Sequence, residues 1–161
     1  MSALFSCRSK LNEGDESMAT MRAAVLEAPG ELRVREIPLP DAGPGEVLCE
    51  VAACGICGSD LRYLAGENPW AKHTLGRETP NPPNMVLGHE VSGVVEIAHD
   101  TVRAGLLAFR TCGECAQCRR GRSQLCPHTE HLGHGAGWED REFNPGGMAQ
   151  VMPVWRENVY P

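Results

Sequence analysis

"CGECAQCRRGRSQLC", residues 112–126, sets four thiols in one short run, with gaps of two, two and seven residues between them. It holds half of the eight cysteines in a chain of 161 residues. A Cys-x2-Cys pair wraps a metal because the turn between the two residues aims both sulfurs inward, and a structural zinc takes four such ligands in a tetrahedron. Cys112, Cys115 and Cys118 form two overlapping pairs, and Cys126 closes the loop. Four thiolates leave the site negative, and Arg119, Arg120 and Arg122 inside the loop offset that charge. The rival reading is an iron–sulfur electron carrier. Bacterial ferredoxins use Cys-x2-Cys-x2-Cys-x3-Cys-Pro, and Pro127 follows Cys126 here. The last gap is too long for that pattern and no second cluster motif accompanies it, so zinc is the expected metal; acid-labile sulfide and a brown colour would mark iron.

The composition fits a small globular domain built on such a site. The chain is 42% hydrophobic and 22% charged, which is globular rather than disordered, and its length suits one ordinary core. Eighteen glycines and twelve prolines beside only 5% aromatics favour short strands joined by turns. A net charge of −6 argues against a nucleic-acid surface, which needs a basic face. No apolar run approaches the ~20 residues that span a bilayer. The first residues lack the apolar stretch of a secretory signal, and Glu13, Asp15 and Glu16 spoil a transit peptide. The expected compartment is therefore the reducing cytoplasm, where clustered cysteines bind metal more often than they form disulfides.

Along the chain, residues 1–20 are polar and patternless and are expected to form a loose extension, with Met18 or Met21 as alternative starts. From Met21 onward the pattern is β. "RAAVLE" and "LRVREIP" predict two strands joined at Pro29-Gly30, and "EVLCEVAAC" a third. "GSDLRYLAG" predicts a short helix with Ser59 or Asp60 as N-cap and Gly66 just past its end. Residues 67–84 read as a long Pro-rich loop, "EVSGVVEIA" and "GLLAF" as further strands, 127–146 as a polar loop, and "GGMAQVMPV" as the last strand. Many short strands at close spacing predict a mainly β domain, a small barrel or sandwich.

Two shorter motifs lie upstream of the cysteine run. "CGICGSDL" places Cys57 at a strand end between Gly55 and Gly58, and "LGHEVSG" places His89 and Glu90 at the entry to another strand. Alone, a single Cys is usually a small buried hydrophobe, and a single His is usually structural. With the 2-2-7 cysteine spacing following in order, "CGICGSD" and "GHEVSGVV" resemble the zinc-dependent medium-chain alcohol dehydrogenases, the sorbitol and threonine dehydrogenases included.

The resemblance runs from about Met21 to the end. It implies a GroES-like catalytic domain over residues 21–161, a partly open β-barrel with short helices and a zinc-binding cysteine lobe at 112–126. It further implies that Cys57 and His89 ligate a catalytic zinc and that Cys112, Cys115, Cys118 and Cys126 hold a structural one. Ser59 matches the family's proton-relay hydroxyl, Asp60 the acid that orients the ligand histidine, and Glu90 a residue that ligates in some members. The implied reaction oxidises an alcohol to a carbonyl. Zinc lowers the pKa of the bound alcohol, Ser59 carries the proton outward, and hydride passes to NAD or NADP. The implied partners are a small-molecule alcohol and, in a homo-oligomer, further copies of the chain.

Departures from the family pattern shape the remaining expectations. The Rossmann domain with its strand–GxGxxG–helix fingerprint is expected to be absent, since "GHGAG" at 133–137 follows no apolar strand and reads as a loop. No cofactor-binding residue is therefore assigned. The family's third catalytic ligand, a Cys, Asp or Glu, falls beyond Pro161. The chain is accordingly expected to be a truncated product that does not oxidise alcohols by itself. The competing possibility is a non-catalytic, zinc-stabilised β-barrel used as an interaction module. The Gly-Asp-Arg-Val strand usual before the cysteine lobe is reduced to "AGLLAF", which predicts a compromised barrel. His128, His131 and His134 are expected in a solvated loop, and Trp70 and Trp138 at a cleft or capping the core.

Overall fold

The computed structural model describes residues 19–74, 76, 78–97, 100–134 and 141–161. The alternation in "TMRAAVLEA" makes β1 (Thr20–Ala28), which turns its apolar residues Ala23, Val25 and Leu26 into the core. It pairs antiparallel with β2 (Glu31–Pro38), whose outward face is laced by Arg33 and Arg35 on Glu27. After β3 (Glu46–Gly55) come two short helices, α1 (Gly58–Leu64) and α2 (Pro69–Thr74). Then follow β4 (Met85–Val86), β5 (Glu90–Ile97), β6 (Asp100–Leu106) and β7 (Phe109–Arg110). The cysteine lobe carries α3 (Ala116–Arg119) and a 3-10 turn at Ser123–Leu125. The chain returns through β8 (Glu130–His131), β9 (Val151–Trp155) and β10 (Val159–Tyr160).

The strands form sheets in the orders β2-β1-β4, β10-β6-β5-β3-β9 and β7-β8. One segment stitches the two larger sheets together. Ala24 donates to Met148 O and Gln150 donates to Arg22 O along β1, and Val51 of β3 donates to Gln150 O. The chain then runs straight on into β9 beside β3. This shared segment curls the sheets into a half-barrel. Its interior holds one cluster around Cys49, Val95, Met152, Val154 and Trp155, and a second around Met21, Val25, Ile37 and Val86.

Several sequence expectations are corrected here. The expected barrel defect is not observed: β6 pairs with both β5 and β10, so the sheet is continuous through this strand. "GLLAF" is not one strand. Gly105 and Leu106 end β6, and Asn158 Nδ2 donates to Leu107 O and Phe109 O, holding the bend before β7. The last strand begins at Val151 rather than Gly146, because Gly147 and Met148 spend their N–H groups on Gly88 O and Leu87 O. The loop 67–84 contains α2, where the Asn68 side chain accepts from the Ala71 N–H. The N-cap of α1 is Cys57, not Ser59 or Asp60. Residues 1–18 of the expected extension and Trp138 lie outside the described residues, while Met21 is buried in the core.

Candidate metal centres

The cysteine lobe folds around its sulfurs. Cys115 caps α3, its Sγ accepting from the Cys118 N–H at 3.5 Å, while the Cys115 N–H donates to Cys112 Sγ at 3.4 Å. All four ligand sulfurs lie within 4.8 Å of one another, with Cys115–Cys126 at 3.9 Å and Cys126–Cys112 at 3.6 Å. A tetrahedral metal with bonds of ~2.3 Å to sulfur requires S···S separations of roughly 3.8 Å, so the donor set fits zinc in number, chemistry and spacing. Without a metal the sulfurs share protons unequally. Burial pushes the Cys126 thiol up, but the N–H groups of Cys112 and His128 and the neighbouring sulfurs outweigh it and bring it down to about 6. Burial and the bonds to Cys115 and Cys126 push Cys118 up to about 11. Arg119, Arg120 and Arg122 are exposed around the lobe.

The lobe is anchored at its root. Thr129, buried, donates to Cys126 O at 2.9 Å, and Arg110 of β7 donates to Glu130 of β8 at 2.6 Å. The same guanidinium lies 5.0 Å from the Trp155 ring centroid, a cation–π contact that joins lobe and barrel.

The second centre forms where β3 and β5 pair. Gly55, the last residue of β3, sits opposite Glu90, the first of β5, so Cys57 and His89 flank one end of the ladder. One sulfur, one imidazole nitrogen and one carboxylate oxygen of Cys57, His89 and Glu90 lie within 4.8 Å of one another. Asp60, only 2% exposed, accepts from the Cys57 N–H at 2.8 Å and from the Gly88 N–H at 3.2 Å. Its Oδ1 faces His89 Nδ1 at 3.8 Å, and that nitrogen is buried with no hydrogen-bond partner. Three donors of mixed softness, backed by a buried carboxylate, suit zinc with a position left open.

The sequence reading missed the surroundings of His89. Gly88 and Gly133 both hold positive φ, 94° and 70°, and a Cβ on Gly133 would strike the Gly88 backbone. That close approach brings the next residues, His89 and His134, to 4.5 Å between ring centroids. His131 stacks on His134 at 3.8 Å, and Ser59 Oγ lies 3.4 Å from His134 Nε2. His131 and His134 therefore do not belong to a solvated loop; only His128 of the trio is exposed. The signal was Leu132, buried at 1% exposure between the two histidines.

Burial brings His131 down to about 4 and, with neighbouring histidine charge, His134 to about 2. The unfolded chain takes up protons near the ordinary value of 6.5, and the folded state refuses them. Stability due to His131 is therefore full above that pH and falls as pH drops from about 6.5 to about 4, by at most ~3 kcal/mol. His131→Phe is expected to flatten this part of the acid-unfolding curve. Parallel loss in variant and parent between pH 7 and 4.5 would exclude the assignment.

A curled antiparallel half-barrel with a four-sulfur lobe and a Cys–His–Glu cluster defines the class. The alcohol dehydrogenase GroES-like domain family matches residues 43–161, and the chain belongs to that family. It is 34% identical to sorbitol dehydrogenase of Bacillus subtilis over 119 residues, covering 70% of this chain and 32% of that protein. It is 40% identical to L-threonine 3-dehydrogenase of Streptomyces avermitilis over 149 residues, covering 87% and 39%. A zinc-binding dehydrogenase from Sinorhizobium meliloti, solved bound to NADP, superposes with a TM-score of 0.70 at 31% identity, covering 89% of this chain and 38% of that one. The chain thus spans between about a third and two fifths of its relatives' length. No helix among the described residues is long and apolar enough to cross a membrane.

Proposed function

We propose that this domain is the metal-holding catalytic part of a zinc-dependent alcohol dehydrogenase that oxidises a small-molecule alcohol to a carbonyl with NAD or NADP. The observation that carries this reading is the convergence of Cys57, His89 and Glu90 ligand atoms within 4.8 Å, beside a separate four-sulfur lobe. Cys57 and His89 hold the catalytic zinc with Glu90 within reach as a third ligand; Cys112, Cys115, Cys118 and Cys126 hold a structural one. When bound, zinc with an open position acts as a Lewis acid on an alcohol oxygen. Asp60 faces Nδ1 of His89, which directs Nε2 towards the metal. Through the same carboxylate it fixes the backbone at Cys57 and Gly88. Ser59 Oγ accepts the alcohol's proton as it releases its own to solvent, to which it is partly exposed, and His134 Nε2 beside it orients the hydroxyl.

The test is metal stoichiometry. The zinc-loaded parent chain is expected to hold about two metals, one tightly in the lobe and one weakly at the second centre. Cys57→Ser and His89→Ala should each fall to about one. A count unchanged by either substitution, or iron with labile sulfide, would overturn the reading.

A further inference from the structure

His89 lacks the hydrogen bond that would orient it. Its Nδ1 is buried without a partner, and at 3.8 Å the Asp60 carboxylate lies beyond hydrogen-bond reach. Asp60 therefore acts on the ring through charge and does not fix its plane. The last torsion of a histidine side chain is broad, so an imidazole held by charge alone can swing its other nitrogen away from a metal. A wall of rings removes that freedom. His134 lies 4.5 Å from His89 at an interplanar angle of 75°, and His131 lies 5.5 Å from it at 81°. The two wall rings are parallel to within 6° and 3.8 Å apart. His89 therefore meets one flat stack nearly at right angles, a favoured packing of aromatic planes.

The wall is itself held on both flanks. Tyr63 of α1, fully buried, packs on His134 at 5.1 Å, and Ser59, one turn earlier, lies 3.4 Å from its Nε2. Behind the stack, His131 is backed by Phe109 at 6.2 Å, its partner across the β7–β8 ladder. The Gly133–Gly88 contact sets the distance, because the two histidines are the residues that follow those glycines. We propose that His134 is a positioning residue for the second centre, whose ring fixes the plane of His89 and keeps its metal-facing nitrogen aimed at the Cys57 and Glu90 donors. The inference rests on the reading of that centre as a metal site and adds to it the group that orients its histidine.

The test titrates the full chain, with zinc in its lobe, with Co²⁺ as the probe of the second centre. The visible d–d band of the added cobalt reports ligand geometry, and lobe zinc is counted on the same samples. His134→Ala is expected to weaken Co²⁺ binding by roughly tenfold or more and to alter the band, as loss of an orienting partner does. His134→Phe, which restores a flat ring, should bind within about threefold of the parent and keep the parent's band. His134→Leu fills the volume without a flat face and should resemble His134→Ala; it carries the test if His134→Ala loses its lobe zinc. Parental affinity and band in His134→Leu, or a His134→Phe chain that binds no better than His134→Leu, overturns the inference while the metal reading stands. A parent chain that takes up no Co²⁺ beyond the lobe overturns the metal reading, and the inference with it.

Discussion

Cys115→Ser is expected to release the lobe zinc and unfold residues 112–126, while Cys57→Ser leaves the fold standing. Cys115 does three things at once. Its sulfur caps α3, contacts Cys126, and is one of four that meet within 4.8 Å. Cys126 is the one buried residue of this lobe, and none of the largest core side chains belongs to it. With so little apolar surface of its own, the lobe depends on metal binding for its order, and for sites of this kind that binding contributes ~10 kcal/mol or more of folding free energy. Cys57, by contrast, lies two residues past the end of a ten-residue strand whose pairing with β5 and β9 does not involve its sulfur. Limited proteolysis and amide exchange across 112–126 separate the two outcomes. Equal loss of protection in both variants would refute this division of labour.

Trp155→Ala is the second large effect, an expected loss of ~3–5 kcal/mol for removing a buried aromatic. The ring is 1% exposed and packs in the cluster of Cys49, Val95, Met152 and Val154. It also carries the Arg110 guanidinium at 5.0 Å, and Arg110 is tied to Glu130. Truncation therefore opens a cavity in the larger sheet and frees the root of the lobe together. Trp155→Phe keeps most of the volume and should cost less, about 1–2 kcal/mol. Urea unfolding of the three chains is the measurement, and a midpoint for Trp155→Ala equal to that of the parent would contradict this account.

Most of the fold was legible because its signals are local. Alternation in "RAAVLE" and "EVLCEVAAC" placed β1 and β3, and the spacing of four cysteines placed the lobe. The misplaced boundaries were those decided by distant partners. The Asn158 side chain breaks "GLLAF" from fifty residues downstream, and the Leu87–Gly88 carbonyls claim Gly147 and Met148 before β9 can begin. The metal-ligating candidates Cys57, His89 and Glu90 were readable from motifs, and the structure brings their ligand atoms together. His131 and His134 were not read so, because their burial follows from the Gly133–Gly88 backbone contact, of which apolar Leu132 between them was the one local hint. The cap of α1 was misread for a related reason. Asp60 looked like a helix-starting residue, yet it sits inside the first turn and reaches back to the Cys57 N–H.

That one carboxylate has a mechanical consequence. Asp60 grips the backbone at Cys57 and at Gly88, two stretches of chain that meet only by folding. Any breathing of the half-barrel at this seam must either tear both bonds or carry the two stretches as a single rigid plate. The second course breaks fewer bonds, so Asp60 ties the spacing of Cys57 and His89 to one carboxylate. A metal seated there would ride on the plate, undisturbed by the opening and closing around it.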